Sequence, residues 1–342
     1  MAALSSATVL LGQSEREYIL AGCRQDCRLD GRTCHESRPY VLLYQQDTTA
    51  SAAADPIILS HGSARLLSAN SCADGESTQL LCSVKAELVQ PAADRPDHGV
   101  VEIHVDTLAA GISRRLCDDM QATLRHLLGS SIVDTRALCV LPQVYAWRLQ
   151  LDVYILSHAG SLLDACSQVI RAALRTTKLP AIDVLPIASH ESINQESTAM
   201  ETSATGAAVT AAAASVVVDG DIHNASSLPG VENGPVIVTV TVLQSLDANQ
   251  RPVTSLVLDA TAAEETCATA QVHVACVSNT TTSAITAIRK TGTGALPMAL
   301  LPEITKLALQ AAETSNQEHA FVRKTCNETT AAWLLQGLYE LQ

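Results

Sequence analysis

The chain has 342 residues, 47% of them hydrophobic and 17% charged, a globular composition with enough length for two ordinary domains and a sizeable core. Its formal net charge of −13 excludes non-specific coating of nucleic acid or anionic membrane, which rests on clustered Lys and Arg, so any RNA contact must be local or shared with a more basic partner. No apolar run reaches the roughly 20 residues of a membrane span, and residues 1–12 lack the basic start of a secretory signal, so an intracellular location is expected.

In chain order, Ser14 and Glu17 have capping-box spacing ahead of Tyr18-Ile19-Leu20, which predicts a short helix running to about Cys27. Strands follow. Residues 57–59 and 64–67 are apolar and bounded by polar residues, while Leu80, Cys82, Val84, Ala86 and Leu88 alternate with polar neighbours after an Asp74-Gly75 turn signal. Val101, Ile103 and Val105 alternate again. Met120, Leu124, Leu127 and Leu128 have helical spacing that stops at Gly129, and residues 137–141 read as a strand. Trp147, Leu149, Leu151, Val153 and Ile155 then alternate with Arg148, Gln150, Asp152 and Tyr154, the pattern of a half-buried strand.

A helix follows at once, with Leu162, Ala165, Cys166, Val169 and Ala173 on one face and Ser161 and Asp164 spaced as N-cap and third helical residue. The joining turn, Ala159-Gly160-Ser161-Leu162, has the backbone of an anion site. Free N–H groups and the positive end of the helix dipole favour phosphate there, Gly160 permits close approach, and a following Arg would complete the clamp. The chain offers Leu162 instead. On its own the turn is more simply read as a capped strand-to-helix connection.

Residues 190–233 are dominated by Ala, Ser, Thr, Glu and Gly with one apolar patch at 216–218, which predicts a mobile insertion or linker. Beyond it, 236–243, 256–258, 272–277 and 284–288 read as strands, and helices are expected at 303–312 and 318–341. Both halves are thus mixed, with strands followed by helices, which suggests a pair of similar α/β layers. The chain has 11 cysteines, and Cys82, Cys139, Cys166 and Cys276 occupy apolar-periodic positions, where a reduced thiol acts as a small core residue. That usage fits a cytosolic or nuclear protein. Cys23, Cys27 and Cys34 form no CxxC pair and no second pair follows, so no metal is expected there.

Three local signatures occur in a fixed order. Leu29-Asp30-Gly31-Arg32 follows the first helix, Gly62-Ser63-Ala64 and Val84-Lys85-Ala86-Glu87-Leu88 mark a strand pair, and Trp147 to Ala173 is strand, turn and helix. Together they resemble the ribonuclease PH family, and more closely the exosome subunits built on that fold; Ser14-Glu15-Arg16-Glu17-Tyr18-Ile19 and Cys139-Val140-Leu141-Pro142 add to the likeness. The resemblance covers about residues 14–187 and from 234 onward. It implies an α/β fold of α+β layers, RNase PH-like, with two similar domains of the ribosomal protein S-five domain 2-like type. The expected boundaries are an N-terminal helix at 1–28, a first domain at 29–187, a low-complexity insertion at 188–233 and a second domain at 234–342.

Active members of that family shorten RNA from its 3′ end by phosphorolysis, chemistry that needs cationic or N–H donors for phosphate and carboxylates for a metal or for proton transfer. Carried over by position, the phosphate-binding Gly-Ser-Arg of active members falls on Gly160, Ser161 and Leu162, a degenerate turn without its cation. The two catalytic carboxylates fall on Glu265, after Glu264, and on Gln271, which can act neither as a base nor as a charged ligand. Asp259-Ala260-Thr261-Ala262-Ala263-Glu264-Glu265 resembles the Asp-Pro-Thr-x-Glu-Glu run of non-catalytic ring subunits, with Ala260 in place of Pro. Ser113-Arg114-Arg115 matches the Ser-Arg-Arg that lies beside the RNA path in active members; the plainer reading has the two arginines solvated or paired with Asp118 and Asp119.

Other polar groups read as structural. Arg289-Lys290 with Gly292 and Gly294 is expected to be a solvated turn, His273 a satisfied core histidine, and Lys85 with Glu87 an ion pair on one strand face. Ser77, Ser157 and His158 form no nucleophile elbow.

The resemblance therefore implies no catalytic residue, no cofactor and no metal. It implies a non-catalytic structural and RNA-path subunit of the RNA exosome ring, supporting 3′–5′ RNA processing and degradation, including rRNA maturation and mRNA decay. Its implied partners are other RNase PH-like subunits in a hetero-hexameric ring, cap subunits and RNA, with no membrane, and its implied location is nucleus and nucleolus, also cytoplasm. Two alternatives stay open: an active phosphate-dependent 3′–5′ exoribonuclease using Glu265 and Arg114, and an unrelated small-molecule enzyme on the same layered fold.

Overall fold

The alternation at 80–88 and 147–155 becomes two long strands paired antiparallel, Cys82 opposite Val153 and Val84 opposite Leu151, at the centre of the first sheet. The computed structural model describes residues 11–44, 60–68, 77–109, 111–186, 214–221, 224–246, 251–278 and 283–326. Helix α1 (Gln13–Arg24) precedes β1 (Tyr40–Tyr44), β2 (Gly62–Ser68), β3 (Gln79–Val89), β4 (Val100–Thr107), α2 (Arg114–Leu128), β5 (Cys139–Leu141), β6 (Tyr145–Ser157) and α3 (Leu162–Thr176). The six strands form one sheet in the order β1-β2-β3-β6-β4, with β5 paired to β6. Among the described residues only β4 runs parallel to its neighbour, Ile103 opposite Leu151. Helix α2 packs on β4, and α3 on β2 and β3. The inward residues Leu80, Cys82, Leu149, Leu151 and Ile155 bury completely against Leu124, Leu128, Val169 and Ile170.

Two small ribbons follow: β7 (Lys178–Leu179) pairs with β10 (Ser226–Ser227), and β8 (Ile182–Pro186) with β9 (Ala214–Val218). They correct the expectation of a linker over the end of the 190–233 tract. Its apolar patch supplies the paired strand β9, and Leu228 and Val231 are buried in the first core. Residues 187–213 and 222–223 lie outside the described residues, as do the expected strand at 57–59 and the Asp74-Gly75 turn.

The second sheet contains β11 (Val236–Leu246), β12 (Pro252–Leu258), β13 (Ala270–Ser278) and β14 (Ser283–Thr291) in the order β12-β11-β13-β14, all antiparallel. Strand β11 is buried on both sides, which explains its nearly unbroken apolar run. Val236, Val238, Val240 and Val242 face Ile304, Ala308 and Ala312 of α5 (Leu301–Cys326). Its alternate residues face the first half, where Ile237 joins the first core. Short helix α4 (Ala262–Cys267) connects β12 to β13, and α1 packs against β11, β12 and α4 through Ile19 and Cys23.

Four local expectations need correction. Helix α1 starts one residue before Ser14, and the side chain that closes its first turn is Glu15, which accepts from the Gly12 N–H at 2.8 Å. The strand expected at 137–141 starts only at Cys139, because Ala137 and Cys139 donate their N–H groups to Asp134 and Arg136 in turns. The break expected between helices at 303–312 and 318–341 is absent, since Leu301–Cys326 is one continuous helix; residues 327–342 lie outside the described residues. Finally, Lys85 and Glu87 do not pair with each other. Glu87 binds Arg148, which stands directly opposite it on β6, and the long Lys85 side chain reaches the diagonal neighbour Asp152 (Nζ to Oδ2 3.1 Å).

Candidate functional site

The turn between β6 and α3 is held in the left-handed region, with φ of +100° at Gly160 and +51° at Ser161. A side chain at Gly160 would strike the carbonyl oxygen of Ala260, so the glycine serves close approach to the chain's own backbone rather than to a ligand. Ala262 N–H donates to Ala159 O at 3.2 Å across the same contact. Ser161 occupies the N-cap position but makes no side-chain bond to the helix backbone; its hydroxyl donates to Asp164 Oδ2 at 3.0 Å. The Ser161 N–H donates to Glu265 Oε1 at 2.9 Å. The negative group that this helix N-terminus favours is therefore the protein's own carboxylate.

The positions carried over from the family converge here. Ser161, Leu162, Glu265 and Gln271 line one cavity, with Met120 of α2, of only about 10 Å³. That is about the volume needed for one water and too small for phosphate. Leu162 points into the first core and is 4% exposed. Gln271 stands opposite Thr241 on β11, and neither Gln271 Oε1 nor Thr241 Oγ1 has a hydrogen-bond partner.

The 259–265 segment is held against the turn by arginines from the loop after α1. Arg38 grips Asp259 with two bonds, Nη2 to Oδ1 at 2.6 Å and Nε to Oδ2 at 2.9 Å, and donates to Ala159 O at 2.8 Å. Arg32 adds a bond to Asp259 Oδ2 at 3.1 Å. Arg28 makes a buried bidentate pair with Glu264, Nε to Oε1 at 2.9 Å and Nη2 to Oε2 at 2.5 Å. Burial opposes the Arg28 charge, yet Glu264 outweighs it and holds the guanidinium above its ordinary pKa. Glu264 also accepts from Thr261 N–H (2.8 Å), closing a capping box on α4. The motif singled out only Arg32 of these three. Arg28 and Arg38 lie more than 200 residues from their carboxylates, where no local spacing signals a pair.

Asp164 accepts from Thr239 N–H at 2.9 Å and from Thr239 Oγ1 at 2.5 Å. Desolvation nonetheless pushes its carboxyl up to about 7, against the lowering effect of those bonds. His273 bonds Thr239 and Thr291, both at 2.9 Å, and burial drives its pKa down to about 3, so it is the neutral core histidine expected. On the other side of the turn a cleft of about 660 Å³ is bordered by Arg38, Tyr40, Asp164, Gln168, Asp259 and Ser315.

Ser113 accepts from Leu116 N–H at 3.3 Å and caps α2. Arg114 and Arg115 are exposed, and among the described residues neither pairs with Asp118, Asp119 or any other carboxylate. Six residues separate Arg114 from Met120, about 9 Å along the helix axis. Lys290 Nζ donates to Gly292 O (3.1 Å) within the turn, and Gly294 N–H donates to Thr269 O (2.9 Å), which ties the turn to the residue before β13. Of the three early cysteines, Cys23 and Cys34 are buried and Cys27 is exposed, and no group of three potential ligands is positioned for a metal among the described residues.

Two family models match the chain, the 3′ exoribonuclease family domain 1 over residues 55–180 and domain 2 over residues 235–311, together more than half its length. Among relatives, the exosome complex component Rrp42 of Sulfurisphaera tokodaii is 27% identical over 178 residues, 50% of this chain and 58% of its own. RRP45 of Danio rerio is 27% identical over 183 residues, 51% of this chain and 41% of its own. The chain thus spans about half the length of these relatives. A chain of an archaeal exosome core has the same fold, with a TM-score of 0.59 at 20% identity over 89% of this chain and 95% of that one. A chain of the Archaeoglobus fulgidus exosome with RNA bound to the active site gives 0.58, also at 20% identity, over 89% and 97%.

Proposed function

The chain belongs to the RNase PH family of 3′ exoribonucleases, and from that premise we propose that it is a non-catalytic structural and RNA-path subunit of an exosome ring. One observation carries the non-catalytic reading: the site that would hold phosphate is filled. Phosphorolysis needs an attacking phosphate held by N–H donors and a cation, beside a carboxylate. Here Glu265 takes the Ser161 N–H, the cation position is a leucine turned into the core, the second carboxylate is Gln271, and about 10 Å³ remains between them. An incoming phosphate would have to displace Glu265 and would meet its negative charge. Glu265 thus acts as the internal counter-anion of the turn, which speaks against its use as a catalytic group.

The ring role rests on family membership and on relatives named as exosome components. Within it, the scaffold comprises an N-terminal helix at 1–28, RNase PH-like domains at 29–187 and 234–342, and the insertion at 188–233. Its partners are RNase PH-like ring subunits, cap subunits and RNA. Ser113, Arg114 and Arg115 form the RNA contact: two exposed guanidinium groups with no carboxylate partner among the described residues are available to phosphates, and such contacts carry no base specificity. The processes served are 3′–5′ RNA processing and decay, including rRNA maturation and mRNA decay, in nucleus, nucleolus and cytoplasm.

The ring role is tested by native-salt pull-down with mass spectrometry and by gel filtration. RNase PH-like subunits recovered in a stable assembly are the expected result. A stable lone monomer that retains none of them would remove the ring role.

A further inference from the structure

A continuous chain of side-chain hydrogen bonds runs from α3 into the second sheet. Asp164 Oδ1 lies 2.5 Å from Thr239 Oγ1, that oxygen lies 2.9 Å from His273 Nδ1, and His273 Nε2 lies 2.9 Å from Thr291 Oγ1. Thr239, His273 and Thr291 are all buried, so water does not replace these partners. The other carboxyl oxygen, Asp164 Oδ2, faces the Thr239 N–H at 2.9 Å and the Ser161 hydroxyl at 3.0 Å. The protons along this chain cannot be placed independently, because each hydroxyl has one hydrogen and the His273 ring, kept neutral by burial, has one N–H.

With Asp164 ionised, Oδ1 can only accept. The Thr239 hydroxyl must then point at it, since two bare oxygens do not stand 2.5 Å apart. His273 in turn offers Nδ1–H to Thr239 and takes the Thr291 hydroxyl on Nε2. With a proton on Asp164 every bond reverses. Asp164 donates from Oδ1 to Thr239, Thr239 donates to a bare Nδ1, and Nε2–H donates to Thr291. The proton sits on Oδ1 because Oδ2 already takes the backbone N–H of Thr239, a donor that cannot turn away. We propose that Asp164, Thr239, His273 and Thr291 form a proton-linked relay, in which the protonation state of Asp164 selects the tautomer of His273 while the ring itself stays neutral.

The relay joins two hollows. Asp164 borders the cleft of about 660 Å³, from which its proton exchanges, and Thr239 and His273 border the cavity of about 10 Å³ beside Gln271. Asp259, after β12, and the thiols of Cys276 and Cys166 surround Asp164; Arg289, opposite on β14, faces His273; Glu265 borders the small cavity. Among the described residues none of these is a side-chain hydrogen-bond partner of Asp164, Thr239 or His273, so they move the pH of the reversal and not its direction. That pH is the one at which the desolvated Asp164 carboxyl titrates, about 7. The inference holds whether or not the chain is catalytic.

The relay is tested by ¹⁵N NMR of the full chain labelled at histidine, with the His273 ring assigned through its backbone resonances. The two ring nitrogens of His273 should exchange pyrrole-type and pyridine-type shifts between about pH 5 and about pH 9, with the N–H on Nε2 at the low end and on Nδ1 at the high end. Asp164→Asn should hold the Nε2–H form throughout, because the amide oxygen keeps the Thr239 N–H and the amide nitrogen donates to the Thr239 hydroxyl. Thr239→Val, which removes the hydroxyl and keeps the backbone donor, should leave the His273 shifts constant with pH. A constant tautomer in the wild type, an exchange that persists in either variant, or two pyrrole-type nitrogens at the low end overturns the proposal.

Discussion

Replacing Glu264 by Gln isolates the charge of the Arg28–Glu264 pair. The two side chains are 0% and 1% exposed, so the guanidinium has no access to water when its partner is neutralised. Gln retains an acceptor for the Thr261 N–H, so the α4 cap survives and the loss reports the ion pair. Removing one member of a buried pair costs about 3–5 kcal/mol, and because Gln still accepts one bond from Arg28 the lower end, about 3 kcal/mol, is expected. In a chain of this size that lowers Tm by about 4 °C. The assay is urea and thermal unfolding of wild type, Glu264→Gln, Arg28→Met and the double variant. The double variant should recover most of the loss, because no charge is left unpaired. A Glu264→Gln protein within about 1 kcal/mol of wild type would refute the claim that this pair clamps the 259–265 segment to the chain's first loop.

Asp164 has a folded pKa near 7, above its value of 3.8 in the unfolded chain, so the native state holds a proton that the unfolded state releases across that window. Its contribution to stability is present below about pH 4 and is lost as pH rises through 7, a change on the order of a few kcal/mol. Asp164→Asn should therefore gain stability relative to wild type between pH 4.5 and pH 8 (roughly the two sides of that transition), and parallel pH–stability curves would contradict it. Gly160→Ala should lose at least about 2 kcal/mol in urea unfolding, since the alanine is strained at positive φ and meets Ala260 O; an unchanged midpoint would count against the close contact. Arg114→Glu with Arg115→Glu should weaken RNA crosslinking in the assembled complex and lower its salt dependence by about 1–2 in slope, leaving assembly intact. A wild-type crosslinking yield would remove these arginines from the RNA path.

The long elements were legible because their faces differ. Strands β3 and β6 alternate cleanly, and α2 and α3 each carry one apolar stripe. Strand β1, Tyr-Val-Leu-Leu-Tyr, has no polar alternate residue, and α4 is six residues long, so neither shows a period. The Ser14–Glu17 spacing was a decoy two residues from a real cap, since Glu15 reaches back to Gly12 and wins by position. At the site, the resemblance located Gly160, Ser161, Leu162, Glu265 and Gln271, and the structure brings them together. What local sequence could not carry is the long-range pairing. That Glu265 fills the turn, and that Arg28 and Arg38 answer Glu264 and Asp259, depends on contacts between residues more than 100 positions apart.

The central claim is that the phosphate site is closed by the protein's own groups. Its most direct test is incubation of the purified chain with 3′-ended RNA and inorganic phosphate, following nucleoside diphosphates. No release above a no-protein control is predicted, because Glu265 takes the N–H donor that phosphate would need and only about 10 Å³ is left beside it. Phosphate-dependent release of nucleoside diphosphates that Glu265→Gln abolishes would contradict it.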